Sequence, residues 1–450
     1  MSGPSRVLIG VSRGLFVVAM VLSYLTPSWQ YGTFALWPLG TLHILHYDYA
    51  PGALMLLPLM VAATWLLGVL LGRRWRSWRR PAWWVVGPAL GFGALTVLRV
   101  WPVHIARTAF VAITSVGFFY AIGLYAHTEL PIRHLSAALA AVMVVQGVLA
   151  VAQFALQGPV GLQMLGESTE LPSAQGAHVL LVAGRRLLRA QGMSPHPNVL
   201  GGYMVIGLLV VGGRVLATKH RLERGLLAVA MLAGIIGLLL SFSRSALLAL
   251  SLSLMIGACL ARHSLSGSLP LVSRRWLWAA AGGLGLLLSA VLWLRLSGLG
   301  NPLEQASVRE RLEDYGLAWT LIRARPLLGV GSGYYIAALW AAVGNQMGPD
   351  FPGFRTVHSI PLLAAAELGV GGAVLWVAML LAPAAMGMHK GAVGRDWELL
   401  GLSAAFLAAF AATLLDVYLY LPTVWWPALM LGSTVGAWSR HVSQRPYDAY

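Results

Sequence analysis

Three cations and two carboxylates stand where this chain is otherwise almost uncharged. Arg189 lies in Leu188-Arg189-Ala190-Gln191-Gly192, just before a long apolar run, and Arg244 lies in Ser241-Phe242-Ser243-Arg244-Ser245, between two such runs. His358 opens a third, Glu367 follows nine residues later, and Asp416 interrupts Ala411–Tyr420. A charged side chain kept in or at the margin of a bilayer costs about 2.5–3.5 kcal/mol on insertion scales, so such residues are functional candidates by default. The types suggest a particular chemistry. Guanidinium groups bind phosphates, and a helix beginning near Ser243 would add backbone N–H groups at the same place. A histidine beside them is a candidate general base, because its pKa lies close to neutral pH. Asp416 needs a partner, and Arg189, Arg244 or His358 would serve. Nine residues on a helix are two and a half turns, so Glu367 does not share the histidine's face.

The elements that carry these residues are legible from hydropathy. Hydrophobic residues make up 58% of the 450, and charged residues only 10%. Apolar runs near 18 residues recur along the chain, which is the length needed to cross a bilayer. The fold class is therefore all-α, a polytopic membrane bundle in one domain over residues 1–450. About twelve spans are expected, at 7–25, 53–71, 82–98, 108–126, 135–156, 198–217, 225–241, 246–261, 276–294, 359–381, 398–420 and 422–438. Segment 29–47, with His43 and His46, reads as re-entrant or interfacial.

The net charge of +16 comes from basic residues scattered through short loops. That pattern fits the positive-inside rule better than nucleic-acid binding. Arg73, Arg74, Arg76, Arg79 and Arg80, then Arg214, Lys219, Arg221 and Arg224, then Arg262, Arg274 and Arg275 share one side. Both termini should be cytoplasmic, the first run an uncleaved anchor, and 157–197 and 295–357 outward loops. Cys259 is the single cysteine, so no disulfide forms within the chain. The histidines show no metal-ligand spacing, and no metal or cofactor is expected.

The outward loop 295–357, between spans 9 and 10, has a helix signal of its own. Asn301 reads as N-cap with Pro302 at the first helical position. Leu303, Val308, Leu312, Tyr315, Trp319 and Ile322 recur at helical spacing, with Glu304, Arg309, Glu310, Glu313 and Asp314 opposite. An amphipathic helix is expected, its apolar side toward the membrane or a cavity. Gly329-Val330-Gly331-Ser332-Gly333 reads as a turn with exposed N–H groups. In the first outward loop, Asn198 after Pro197 reads as the cap of the next span.

In these residues the chain resembles the O-antigen ligase family, which is similar over its second half to the O-antigen polymerases. The pieces are Arg189 followed by Pro197-Asn198, then Ser243-Arg244, then Pro326-Leu327-Leu328-Gly329-Val330-Gly331. His358 and Glu367-Leu368-Gly369-Val370-Gly371-Gly372 follow. Ser359 departs from the asparagine common in the family. The resemblance covers roughly 180–420 and implies a GT-C membrane glycosyltransferase of the bacterial inner membrane, working on the periplasmic face. It implies transfer of a glycan from undecaprenyl diphosphate to an acceptor hydroxyl, in ligases a sugar of lipid A–core. The reaction is metal-independent and inverting. His358 is then the base, Arg189 and Arg244 bind the diphosphate, and Asp416 and Glu367 support them. An O-antigen polymerase or a protein O-oligosaccharyltransferase would share this chemistry. A small-anion transporter is the competing class, with the arginines binding its solute. The partners implied are the lipid-linked donor, the acceptor and membrane lipids, without nucleic acid.

Overall fold

The computed structural model describes residues 3–25, 42–44, 47–49, 56–71, scattered positions from 87 to 98, 132–163, 167–174, 177–182, 184–194, 196–265, 302–331, 334–344, 356–394 and 396–416. Its helices are α1 (Gly3–Leu25), α2 (Leu56–Leu71), α3 (Ile132–Leu156), α4 (Pro197–Ala217), α5 (Arg221–Ser241), α6 (Arg244–Leu265), α7 (Pro302–Ala324), α8 (Tyr335–Val343), α9 (Ile360–Gly394) and α10 (Trp397–Leu415). Among the described residues, α3, α4, α5, α9 and α10 are long and apolar enough to cross a membrane. Of the expected spans, 108–126, 276–294, 422–438 and most of 82–98 lie outside the described residues.

Two small antiparallel pairs add to the all-helical reading. β1 (Leu42–Ile44) pairs with β2 (Tyr47–Tyr49) across the end of the segment read as re-entrant. β3 (Val179–Val182) pairs with β4 (Arg185–Leu188) just before Arg189. Gly184, at φ 76°, takes the left-handed conformation that the tight turn between β3 and β4 requires.

The helices run alternately, so one end of the bundle collects the C-termini of α3, α5 and α10 and the N-termini of α4, α6 and α9. Helix α4 is the axis. Its residues from Val199 to Val211 are buried throughout, and it packs against α3, α5, α6 and α10. A helix apolar on every side belongs inside a bundle. At the far end charges tie the same helices together. Arg214 of α4 pairs with Glu223 of α5 at 2.7 Å and Glu398 of α10 at 2.6 Å. Asp396 caps α10 by accepting from Leu399 N–H at 3.0 Å.

Helix α9 runs on past Leu381 to Gly394, through the segment expected as a loop. Nothing in Met386–Ala392 breaks a helix, and Asp396 starts the next one. The break lies upstream, at Gly369 (φ 77°, ψ 179°). There Val370 N–H leaves the helical ladder and donates to the Pro326 carbonyl at 2.8 Å. The carbonyls of Ala366 and Glu367 accept instead from Val330 and Gly331 N–H, both at 2.9 Å. The N–H groups of Val330 and Gly331, expected to be exposed, thus strap the long loop to α9. A side chain at Gly369 would meet the Leu327 carbonyl, and one at Gly329 would meet the Glu367 backbone. Both positions also have positive φ, so glycine is required twice over. Gly369→Ala should therefore lower the melting temperature of detergent-purified protein, by a loss of about 1–2 kcal/mol or more, whereas Gly371→Ala, with open space around it, should change it little.

Candidate functional site

Arg189 leaves β4 and turns inward, where it is buried at 8% exposure. Its Nε donates to the Ser241 carbonyl at 2.9 Å, at the end of α5. Its Nη2 donates to Asn198 Oδ1 at 2.7 Å, and Asn198 Nδ2 in turn donates to Asp416 Oδ2 at 2.6 Å. One relay thus joins the loop, α4, α5 and the end of α10. Asp416 was expected beside Arg189, Arg244 or His358, and the Asn198 amide links it to Arg189.

Asn198 is free for this because it does not cap α4. His196 is the N-cap, extended at φ −155° and ψ 142°, and its Nδ1 accepts from Asn198 N–H at 3.0 Å. Pro197 at the first helical position moves the cap one residue upstream of Asn198's neighbour. Burial pushes the His196 imidazole well below its usual pKa, and the nearby His178, Arg189, His358 and Arg311 push the same way. The ring is therefore neutral at neutral pH, as an accepting Nδ1 requires.

The loop that carries Arg189 and His196 is held by α3. Gln153 Oε1 accepts from Gly192 N–H at 2.8 Å and Gln191 N–H at 3.2 Å, while its Nε2 donates to the Gly192 carbonyl and to Glu167. Gln146 Oε1 accepts from Met193 N–H, and Gln157 Oε1 from Leu188 N–H. Glu167 completes the frame by accepting from Val160, Gly161 and Leu162 N–H. Burial raises the pKa of this carboxylate, but the Gln153 amide and the three N–H groups hold it below the usual value. His178, with its Nδ1 2.9 Å from Glu170, stands edge-on to His196 with ring centres 4.1 Å apart.

Arg244 is the first residue of α6 and follows a turn in which Phe242 is left-handed at φ 47°. Ser243 is the residue before it, with Oγ accepting from Ala246 N–H at 3.3 Å. The turn is therefore tight, and α4 meets it closely. A Cβ on Gly201 would stand 2.8 Å from Ser243 and 2.9 Å from Ser241 Oγ. Arg189 holds the carbonyl of Ser241 and Arg244 lies three residues on, so both cations belong to one turn. A cation at a helix N-terminus opposes the helix dipole.

The histidine side of the site differs from expectation. His358 Nδ1 lies 2.9 Å from Asp314 Oδ2, and Asp314 is buried at 3% exposure. Asp314 was expected on the solvated face of the loop helix. Instead α7 turns Asp314, Ala318, Leu321 and Ile322 inward, while Val308, Leu312 and Trp319 are exposed. The bond to His358 outweighs the weak apolar stripe. Tyr315 reinforces the contact by donating to the His358 carbonyl at 3.4 Å. Burial raises the Tyr315 pKa against the effect of Arg311, and Asp416 and Asp314 raise it further. Arg189, His196, Arg311, Asp314, Tyr315, His358 and Asp416 therefore share one neighbourhood at one end of the bundle. Glu367 is wholly buried, with Oε1 accepting from Tyr335 N–H at 3.3 Å at the start of α8. Its main-chain carbonyl belongs to the strap. Among the described residues, no group of three or more His, Cys, Asp or Glu could hold a metal ion.

Residues 228–377 match a family model described as O-antigen ligase, so the resemblance read from the motifs is borne out over that third of the chain. The matched stretch includes Arg244, Asp314, His358 and Glu367, while Arg189, Asn198 and Asp416 lie outside it. No curated protein matches the chain. Because Gln153 serves several buried groups at once, Gln153→Leu should cost about 1–3 kcal/mol for each one left unsatisfied. A melting curve of the purified variant should show the loss.

Proposed function

We propose that the protein is a membrane glycosyltransferase of the O-antigen ligase type. In this reading it moves a glycan from undecaprenyl diphosphate to a hydroxyl of lipid A–core on the periplasmic face of the bacterial inner membrane, with both termini cytoplasmic. The observation that carries the reading is the imidazole of His358, held on Asp314 at the same end of the bundle as the Arg189–Arg244 turn. With Asp314 accepting from Nδ1–H, the neutral ring presents Nε2 as a base. The tautomer is inferred from that partner.

The chemistry follows from the charges. Nε2 takes the proton of the acceptor hydroxyl as its oxygen attacks the anomeric carbon. The bond from that carbon to the diphosphate oxygen breaks, and its electron pair leaves with the diphosphate. Attack opposite the leaving group inverts the anomeric centre. The departing lipid diphosphate gains negative charge, and Arg244 with Arg189 stabilises it. Such contacts are strong in a site shielded from water. Arg189 is pre-oriented by Ser241 and Asn198, and so does not need to reorganise when charge develops.

Transfer from purified lipid-linked glycan to lipid A–core, read on a gel, tests this. His358→Ala should lower the rate about 10²–10⁴-fold, and Asp314→Asn should lower it less. Arg244→Ala should cost about 10²–10³-fold, with only partial rescue by lysine, which lacks the forked donors. Wild-type transfer by His358→Ala and Arg244→Ala would sink the mechanism. A lengthened lipid-linked chain as the product would make the enzyme a polymerase.

A further inference from the structure

The first outward loop carries a second imidazole–carboxylate pair that the mechanism above does not use. Nδ1 of His178 lies 2.9 Å from both oxygens of Glu170. The main chain fixes the same residue twice more. His178 N–H donates to Glu170 Oε2 at 3.1 Å, and the His178 carbonyl accepts from Arg189 N–H at 2.9 Å. The register of β3 on β4, with Val179 opposite Leu188, sets His178 beside Arg189. Burial raises the pKa of Glu170, but the two bonds from His178 and the charges of His178 and Arg189 hold it below the usual value. The carboxylate is therefore ionised at neutral pH and accepts from Nδ1–H. The neutral ring then presents Nε2 as an acceptor, a tautomer inferred from that partner.

The position of the ring decides what Nε2 meets. It stands edge-on to His196, with ring centres 4.1 Å apart and planes at 77°. His196 feels the charges of Arg189 and His358 as well as that of His178, so His178 and His358 lie within reach of one buried imidazole. Yet the His178 side chain is 27% exposed, whereas His196 and Arg189 are buried. His178 therefore forms the open rim of the same neighbourhood. Among the described residues, the hydrogen bonds of its ring are those of Nδ1 to Glu170.

The chemistry of that rim selects its ligand. Phosphoryl oxygens are hydrogen-bond acceptors, so they gain nothing from an accepting Nε2, and the ionised Glu170 repels them. A sugar hydroxyl can donate to Nε2 and carries no charge. We propose that His178 is a sugar-binding residue of the reaction centre, its Nε2 accepting a hydrogen bond from a hydroxyl of the glycan being moved or of the sugar that receives it. Glu170 is its positioning residue, fixing the ring through Nδ1. This rests on the transferase reading given above and adds to it a residue that selects the sugar.

Initial rates of transfer by full-length protein, with purified lipid-linked glycan and lipid A–core varied in turn, test the assignment. His178→Phe keeps a ring against His196 but removes the nitrogen, and His178→Gln returns a polar group that can accept. A neutral hydrogen bond corresponds to about 2- to 10-fold in affinity. His178→Phe should raise the KM of one of the two substrates by that factor, with a smaller change in kcat. A rise for the lipid-linked glycan assigns the hydroxyl to the donor, and a rise for lipid A–core assigns it to the acceptor. His178→Gln should recover part of the loss, and Glu170→Gln should raise the same KM by less. Arg185→Ala, an exposed change in the adjoining hairpin, should match the wild type. A lowered melting temperature with both KM values at wild type would make the pair structural and overturn the inference. A fall in kcat of about 10²–10⁴-fold at unchanged KM would make His178 a proton acceptor and overturn it as well. If His358→Ala is inactive while His178→Phe keeps both KM values, only this inference fails. If His358→Ala retains wild-type transfer, the reaction centre itself is misassigned.

Discussion

A buried guanidinium is the fixed point of this structure. Arg189 sits at the end of an apolar bundle, where an unsatisfied charge would be costly. Its neighbours are arranged around that constraint. The last carbonyl of α5 accepts one of its bonds, and the Asn198 amide accepts another and hands the interaction to Asp416. The turn after α5 must then stay close, and that turn begins α6 with Arg244. Removing the arginine would leave a carboxylate, an amide and a helix-end carbonyl facing each other without a cation.

The partners of Arg189 explain the frame around it. A loop bearing a buried charge has to be rigid, and α3 rigidifies it with Gln146, Gln153 and Gln157. Seven residues separate Gln146 and Gln153, which places them along one side of the helix, and Gln157 follows its last residue. Glu167 then folds the exit of α3 back on itself. Together these groups set the position of the loop that carries Arg189. Main-chain groups supply most of their partners, so the arrangement depends little on which side chains the loop carries.

Much of this was legible in the sequence, and the exceptions have physical causes. Hydropathy located the helices because apolar length is a strong signal, and the order of Arg189, Arg244 and His358 carried the resemblance. The face of α7 was misread because apolar periodicity was scored without asking whether an acid could be paired. Asp314 looked solvated, and the histidine it bonds is 44 residues away in sequence. The cap of α4 was misassigned because asparagine is the commoner cap, whereas Pro197 and a neutral histidine supply it here. The glutamines of α3 did leave a trace, as polar residues recurring on one side of an apolar run. The strap between Pro326–Gly331 and Ala366–Val370 left its trace only in glycines, whose positive φ a sequence does not display.

That strap has an evolutionary consequence. It is a backbone-to-backbone seam closed by Val330, Gly331 and Val370 N–H, and Leu327 and Leu328 project from it at 80% and 60% exposure. Provided the glycines remain, the seam tolerates any residue at those two positions. The surface beside the strap can therefore be rewritten by mutation while the helix that follows His358 keeps its register. A scaffold so divided between invariant main chain and expendable side chains is well suited to descendants that differ in the molecules they accept.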